Sequence, residues 1–271
     1  MKGLIIIIGE SFRLGGQGTR LRGVPESYDQ QINACNSHTK FLNNLKTKFN
    51  CDASIYLSTY DTKYNDNLVE IYKDYLVGHK IYENPIGLSQ LFKNSVMDNK
   101  NNLQNYDFIL YFRIDLFLKD HFSDIFDPNW NTIRFSTVCW KRDSIHNGKP
   151  RVNDMMLFIP KKFFDHLDNI PICHEAWYIL SNELHISDND LDVMINTYHD
   201  SDSEKDLNPL YYIVNRPEST IWHSENEIFS FSSEQKPIIE QFTIVKKHNM
   251  IHITIIKIII ILLTINLLFN F

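Results

Sequence analysis

One run near the middle of the chain, Asp107-Phe108-Ile109-Leu110-Tyr111-Phe112-Arg113-Ile114-Asp115-Leu116, sets a carboxylate at the mouth of an apolar strand, with an arginine two residues before it. A hard divalent cation that bridges a diphosphate takes one or two such carboxylates, because Mg²⁺ and Mn²⁺ prefer oxygen ligands and keep positions open for phosphate oxygens. Arg113 can pair with phosphate or hold Asp115 in place. The plain alternative is a structural Arg–Asp pair at a strand end. Two more polar clusters follow apolar runs: Gly9-Glu10-Ser11-Phe12-Arg13, and Ser58-Thr59-Tyr60-Asp61, where a Thr-x-Asp is also a common helix N-cap. Asp154 precedes an apolar stretch, and His223 ends the run Ile221-Trp222-His223. His174-Glu175 is no zinc motif, since the second histidine at helical spacing is missing.

These residues need elements to position them, and the apolar pattern supplies a consistent set. Leu4-Ile5-Ile6-Ile7-Ile8 reads as a buried strand of a parallel sheet, because strands covered on both faces appear as continuous β-branched runs. Tyr28, Ile32, Cys35, Phe41, Leu42, Leu45 and Phe49 share one face of a helix over 25–49. Residues 54–58 form a second strand, 65–76 a second helix and 80–82 a third short strand. A helix through Leu88, Leu91, Phe92 and Val96 then leads to the strand at 107–112. This βαβαβαβ order implies an α/β fold, a mostly parallel sheet with helices on both faces and ligands at the carboxyl ends of the strands. Beyond it, strands are expected near 132–138, 155–159, 211–214 and 219–222, helices near 161–167 and 175–184, and an acidic loop at 188–206.

The composition narrows the function. A net charge of −6 and a pI near 6.0 exclude a chain whose main partner is a nucleic-acid backbone. Four separated cysteines without a C-x-x-C pair make a disulfide framework or zinc ribbon a poor fit; they read as small buried hydrophobes in a reducing compartment. The first isoleucine run is too short for a signal sequence. The last apolar stretch, 251–269, approaches the roughly 20 residues that cross a bilayer. With Lys246, Lys247 and His248 before it, 246–271 is expected to be a hydrophobic tail that anchors a 1–245 domain on the cytoplasmic face of a membrane. The alternative is a last core helix or strand.

Around Arg113-Ile114-Asp115 the chain resembles GT-A-type glycosyltransferases, in particular small sugar-transfer proteins encoded by large DNA viruses. The resemblance spans 3–224 in pattern. It implies a GT-A-like (Rossmann-like) fold and a nucleotide-diphospho-sugar donor. It also implies a glycan, protein or lipid acceptor, and Mn²⁺ or Mg²⁺ held by an aspartate motif after the fourth strand. Here the first aspartate of that motif is Arg113, which leaves Asp115 as metal ligand. The same resemblance gives Glu10 and Arg13 contact with the nucleotide, Thr59 or Asp61 a base or ribose hydroxyl, Asp154 the acceptor hydroxyl, and His223 the metal. A rival motif, Gly15-Gly16-Gln17-Gly18-Thr19-Arg20-Leu21, resembles the phosphate loop of sugar nucleotidyltransferases, although Glu26 stands where that family has lysine after proline. In either family the glycines and Arg20 would cradle phosphate. A third reading is an inactive, membrane-attached interaction protein that keeps the fold.

Overall fold

The isoleucines of the first strand decide the layering. The computed structural model describes residues 1–12, 27–139, 145–195, 198–199 and 210–214, all inside one compact unit, Met1–Thr220. In it β1 (Lys2–Gly9) is buried from Gly3 onward. Successive side chains of a strand point to opposite faces. Leu4, Ile6 and Ile8 pack with Leu91, Phe92 and Val96 of α3 (Leu88–Asp98), while Ile5 and Ile7 join Cys35, Phe41, Leu42 and Leu45 of α1 (Ser27–Phe49). Helices therefore cover both faces, as the continuous apolar run requires.

Strands β2 (Asp52–Tyr60), β3 (Leu76–Tyr82) and β4 (Phe108–Arg113) all run parallel to β1. The chain builds outward from β1 through β2 to β3 and then returns to lay β4 on the other side of β1. That reversal of strand order makes a switch point at the carboxyl ends of β1 and β4, and in sheets of this kind the crevice outside such a point is where ligands bind. Next come β5 (Leu116–Leu118), β6 (Ile133–Phe135) and the two-residue strands β7 (Val138–Cys139), β8 (Ile145–His146) and β9 (Lys149–Pro150). They are followed by β10 (Met156–Pro160), β11 (Leu191–Val193), β12 (Tyr198–His199) and β13 (Tyr211–Ile213). The main sheet has the order β11-β6-β10-β4-β1-β2-β3. Strand β10 is antiparallel to both its neighbours, so the sheet is mostly parallel. Strand β13 pairs with β5 and lies across the turn that follows β4.

Several elements differ from the sequence pattern. The second helix, α2 (Asn65–Tyr72), stops four residues before the expected 65–76, because Leu76 begins an edge strand and Gly78 lies opposite Tyr56. Lys161–Asn169 is a 3₁₀ helix, and the expected helix at 175–184 runs from Ala176–Tyr178 into a π turn at Ile179–Glu183. Inside the expected acidic loop, Leu191 and Val193 pair with β6 as β11. A hairpin between β8 and β9 turns on Asn147 (φ 49) and Gly148 (φ 80), the left-handed pair that favours Asn-Gly. Cys35 and Cys51 are free and buried, and Cys173 is free and half-buried. The expected strand at 219–222 and the hydrophobic tail 246–271 lie outside the described residues. Among the described residues no helix is long and apolar enough to cross a membrane.

Two polar or close-packed points hold the layers. His38 of α1 is fully buried, its Nε2 2.6 Å from the Leu116 carbonyl and its Nδ1 2.7 Å from the Tyr72 hydroxyl. A carbonyl only accepts, so Nε2 carries the proton and Nδ1 accepts from Tyr72. Burial lowers the His38 pKa from 6.5 to about 4. At Gly3 an added Cβ would stand 2.3 Å from Cζ of Phe108, a ring that is itself buried between Phe126 and Phe158.

Two outcomes follow. Gly3→Ala is expected to destabilise the fold by about 1–3 kcal/mol through overpacking, seen as a lower urea midpoint; an unchanged midpoint would show that the Phe108 ring yields freely. For His38 the folded pKa lies below the unfolded one, so its contribution is complete above pH 6.5 and is lost as pH falls towards 4. The loss reaches ~3 kcal/mol. Urea titrations across that range should show this fall in the native chain and a shallower one in His38→Gln.

Candidate functional site

At the carboxyl end of β1 the chain leaves Gly9 with φ 120, a conformation suited to glycine. The Gly9 carbonyl accepts a hydrogen bond from Thr59 Oγ1 at 2.8 Å, and Ser11 Oγ lies 3.2 Å from the same hydroxyl. Thr59 and Ser11 are fully buried. The Thr59 hydroxyl thus shapes the loop after β1. Phe12 (φ 57) follows, stacked on Tyr28 at 5.4 Å and tilted against Tyr64 at 5.0 Å. Gln31, fully buried on α1, clamps this loop to the turn after β4: its Oε1 accepts from Phe12 N at 3.2 Å and its Nε2 donates to the Ile114 carbonyl at 2.8 Å. Sequence reasoning missed Gln31. The available signal was an amide on the apolar face of α1, between Tyr28 and Ile32.

At the end of β4, Ile114 N donates to the Ile8 carbonyl at 2.8 Å, and Val214 N, from the segment after β13, donates to the Asp115 carbonyl at 2.7 Å. Arg113 and Asp115 are 3% and 1% exposed, so the pair sits inside the protein. Arg113 Nε donates to Asp115 Oδ1 at 2.9 Å and Nη2 donates to Oδ2, a two-point fork. Burial disfavours the guanidinium charge, but Asp115, by charge and hydrogen bonds, and the Asp154 charge more than offset this, and the Arg113 pKa is raised. Nη1, the third nitrogen, has no hydrogen-bond partner among the described residues and is not one of the fully enclosed atoms.

This geometry bears on the expected metal. A cation ligand in a diphosphate site must offer a carboxylate oxygen and leave room for phosphate oxygens and water. Both oxygens of Asp115 are engaged by Arg113. Among the described residues no group of three or more His, Cys, Asp or Glu gathers into a metal site. The donor set that the described residues offer around Asp115 therefore does not fit Mn²⁺ or Mg²⁺.

Asp154 is brought to the same edge by β10, whose first residue, Met156, lies opposite Phe112. Tyr111 donates to the Asp154 backbone carbonyl at 2.9 Å. Burial, then the Asp154 charge, keeps the Tyr111 phenol protonated. Asp154 Oδ1 is buried with no hydrogen-bond partner among the described residues. It borders a cavity of about 10 Å³, the room of one water, lined by Tyr111, Asn153, Ile172 and Cys173 among others. Arg151 beside it is held by Glu175 at 2.8 Å.

The remaining sequence candidates divide. Glu10 is half-buried at the mouth of β1. Asp61 is exposed and accepts from Asn65 Nδ2 at 2.8 Å, while Asn65 Oδ1 takes the Thr62 N–H, so Asp61 supports the start of α2. Arg13, Arg20 with the whole 15–21 loop, and His223 lie outside the described residues. The structure thus gathers Glu10, Thr59, Arg113, Asp115 and Asp154 at the carboxyl edge of the sheet, with Asp61 just beyond β2.

No protein-family model and no curated protein matches the chain. Solved structures do. A nucleotide-diphospho-sugar transferase of Desulfovibrio desulfuricans, so described provisionally, is 12% identical over 89% of this chain and 97% of its own, with a TM-score of 0.42. The inositol-1-phosphate CTP transferase of T. maritima is 13% identical over 84% and 96%, with a TM-score of 0.40. A glycosyltransferase involved in the glycosylation of the major capsid of PBCV-1 is 7% identical over 74% and 83%, with a TM-score of 0.34. The reading of the site rests on this chain's own residues.

Removing one member of the buried pair should be costly. Asp115→Ala strands the Arg113 charge and is expected to cost about 3–5 kcal/mol, whereas Arg113→Met with Asp115→Leu should cost much less. Urea unfolding of both variants checks this; equal losses would mean that the pair is not the buried unit described.

Proposed function

We propose that the chain is a glycosyltransferase, moving a sugar from a nucleotide-diphospho-sugar to a hydroxyl acceptor on a glycan, protein or lipid. The observation that carries the reading is that Gly9, Glu10, Arg113 and Asp154 all come to the carboxyl edge of the sheet beside the point where the strand order reverses, with the Asp154 charge favouring the Arg113 guanidinium. Support also comes from the Arg113-Ile114-Asp115 resemblance. In this reading Asp154 takes the proton of the acceptor hydroxyl, whose oxygen bonds to the anomeric carbon. The bond from that carbon to the diphosphate breaks, and its electron pair leaves with the nucleotide. Asp154 Oδ1 has no hydrogen-bond partner among the described residues, so it is left to accept a proton. Arg13 and Arg20 are proposed to add phosphate contacts, and a membrane tail at 246–271 remains part of this reading.

The test incubates the full chain with common sugar nucleotides and follows release of the nucleoside diphosphate. Asp154→Asn is expected to lower turnover at least ~100-fold while nucleotide affinity stays unchanged. Activity untouched by this change removes Asp154 from the reaction. Pyrophosphate released from a nucleoside triphosphate and a sugar 1-phosphate would instead mark a sugar nucleotidyltransferase working through the 15–21 loop. Absence of every activity and of nucleotide binding leaves the interaction-protein reading.

A further inference from the structure

Asp115 is placed where a metal-holding carboxylate is expected, yet its surroundings are those of an arginine clamp. Two of the three guanidinium nitrogens of Arg113 are spent on its two oxygens, and both side chains are almost completely enclosed. The backbone around the pair is pinned from three sides: Arg113 N by the Met155 carbonyl at 3.2 Å, Ile114 N by Ile8, and the Asp115 carbonyl by Val214 N. The aspartate cannot turn towards the crevice without breaking a buried ion pair. Bringing a divalent cation onto the same carboxylate would also set it against the guanidinium charge in a poorly screened place. What remains available is Nη1 of Arg113, a charged N–H donor held in a fixed direction.

We propose that Asp115 is a positioning residue for Arg113 and that nucleotide diphosphate recognition at this crevice needs no divalent cation. Arg113 meets the diphosphate through Nη1. A guanidinium suits this role because its planar fork can hold a carboxylate on one edge and offer directed N–H donors on another. Fixing it beforehand removes the rotamer entropy that a free arginine would lose on binding. The inference rests on the nucleotide-sugar reading for its ligand, but its statement about Asp115 stands apart from that reading.

The experiment uses the full chain and two probes, UDP and GDP, titrated calorimetrically in EDTA and in Mn²⁺. Uptake of Mn²⁺ is followed in parallel by electron paramagnetic resonance. The expected result is nucleotide affinity that changes less than about threefold between the two buffers, and Mn²⁺ whose free signal the protein leaves intact. Arg113→Lys and Asp115→Asn, each checked for folding by circular dichroism, should weaken nucleotide binding about tenfold in both buffers. A native-chain affinity at least ~tenfold tighter in Mn²⁺, or stoichiometric Mn²⁺ uptake that Asp115→Asn abolishes, overturns the proposal. The native-chain comparison needs no variant, so a folding defect in either substitution leaves it decisive. If neither nucleotide binds in any buffer, the transferase reading fails on its own. The Mn²⁺ titration then still decides Asp115: stoichiometric uptake that Asp115→Asn abolishes overturns its positioning role, and the absence of such uptake upholds it.

Discussion

Everything in the described structure is arranged around a strand that has no wet side. From Leu4 to Ile8 no side chain of β1 reaches solvent, so each face needs a helix, and α1 and α3 supply them. Strands flanked in this way must be joined by helical crossovers, which makes neighbouring strands parallel. With β2 and β3 on one side of β1, β4 pairs on the other. The switch point between Gly9 and Arg113 follows from that order, and the two buried faces of β1 hold it between helices.

A crevice made this way exposes backbone ends, and the protein closes them with polar side chains from buried positions. Gln31 ties the first loop to the turn after β4, Thr59 holds the Gly9 carbonyl, and His38 joins α1 to Tyr72 and to β5. Each is an uncharged group with its hydrogen bonds made inside the core, where an unmade one would cost about 1–3 kcal/mol. Arg113 and Asp115 are the charged version of the same device. Such a pair adds little net stability, since desolvation offsets its attraction, but it fixes where a guanidinium stands.

The candidate residues separate according to whether their chemistry is local. A βαβ reading placed Arg113, Asp115 and Glu10 at strand ends correctly, because strand ends follow from apolar runs alone. For Thr59 and Asp61 the structure adds partners inside the chain: Thr59 bonds the Gly9 carbonyl and Asp61 accepts from Asn65 at the start of α2. The sequence alternative, a Thr-x-Asp helix N-cap, does not match either bond, since the cap of α2 is Tyr64; the partners Gly9 and Asn65 are chosen by tertiary approach and local folding back. Gln31 escaped notice because a single amide on an apolar helix face has no periodic signature. The short strands β5 and β11 escaped for a related reason: three residues carry too little pattern, and their pairing with β13 and β6 comes from distant parts of the chain.

By itself the sequence determined the class of fold, through continuous β-branched runs alternating with helical faces, and the ends of strands where polar clusters fall. Periodicity is a property of neighbours in the chain, so it survives without coordinates. Only the tertiary structure decided which partners those clusters meet. Whether Asp115 faces a cation or a guanidinium, whether Thr59 meets a ligand or a carbonyl, and whether Asp154 keeps a buried oxygen beside Tyr111 depend on groups more than 40 residues apart or on rotamers two residues apart. Burial removes water as the default partner, and the nearest complementary group then takes its place. The fold, not the spacing, brings that group near.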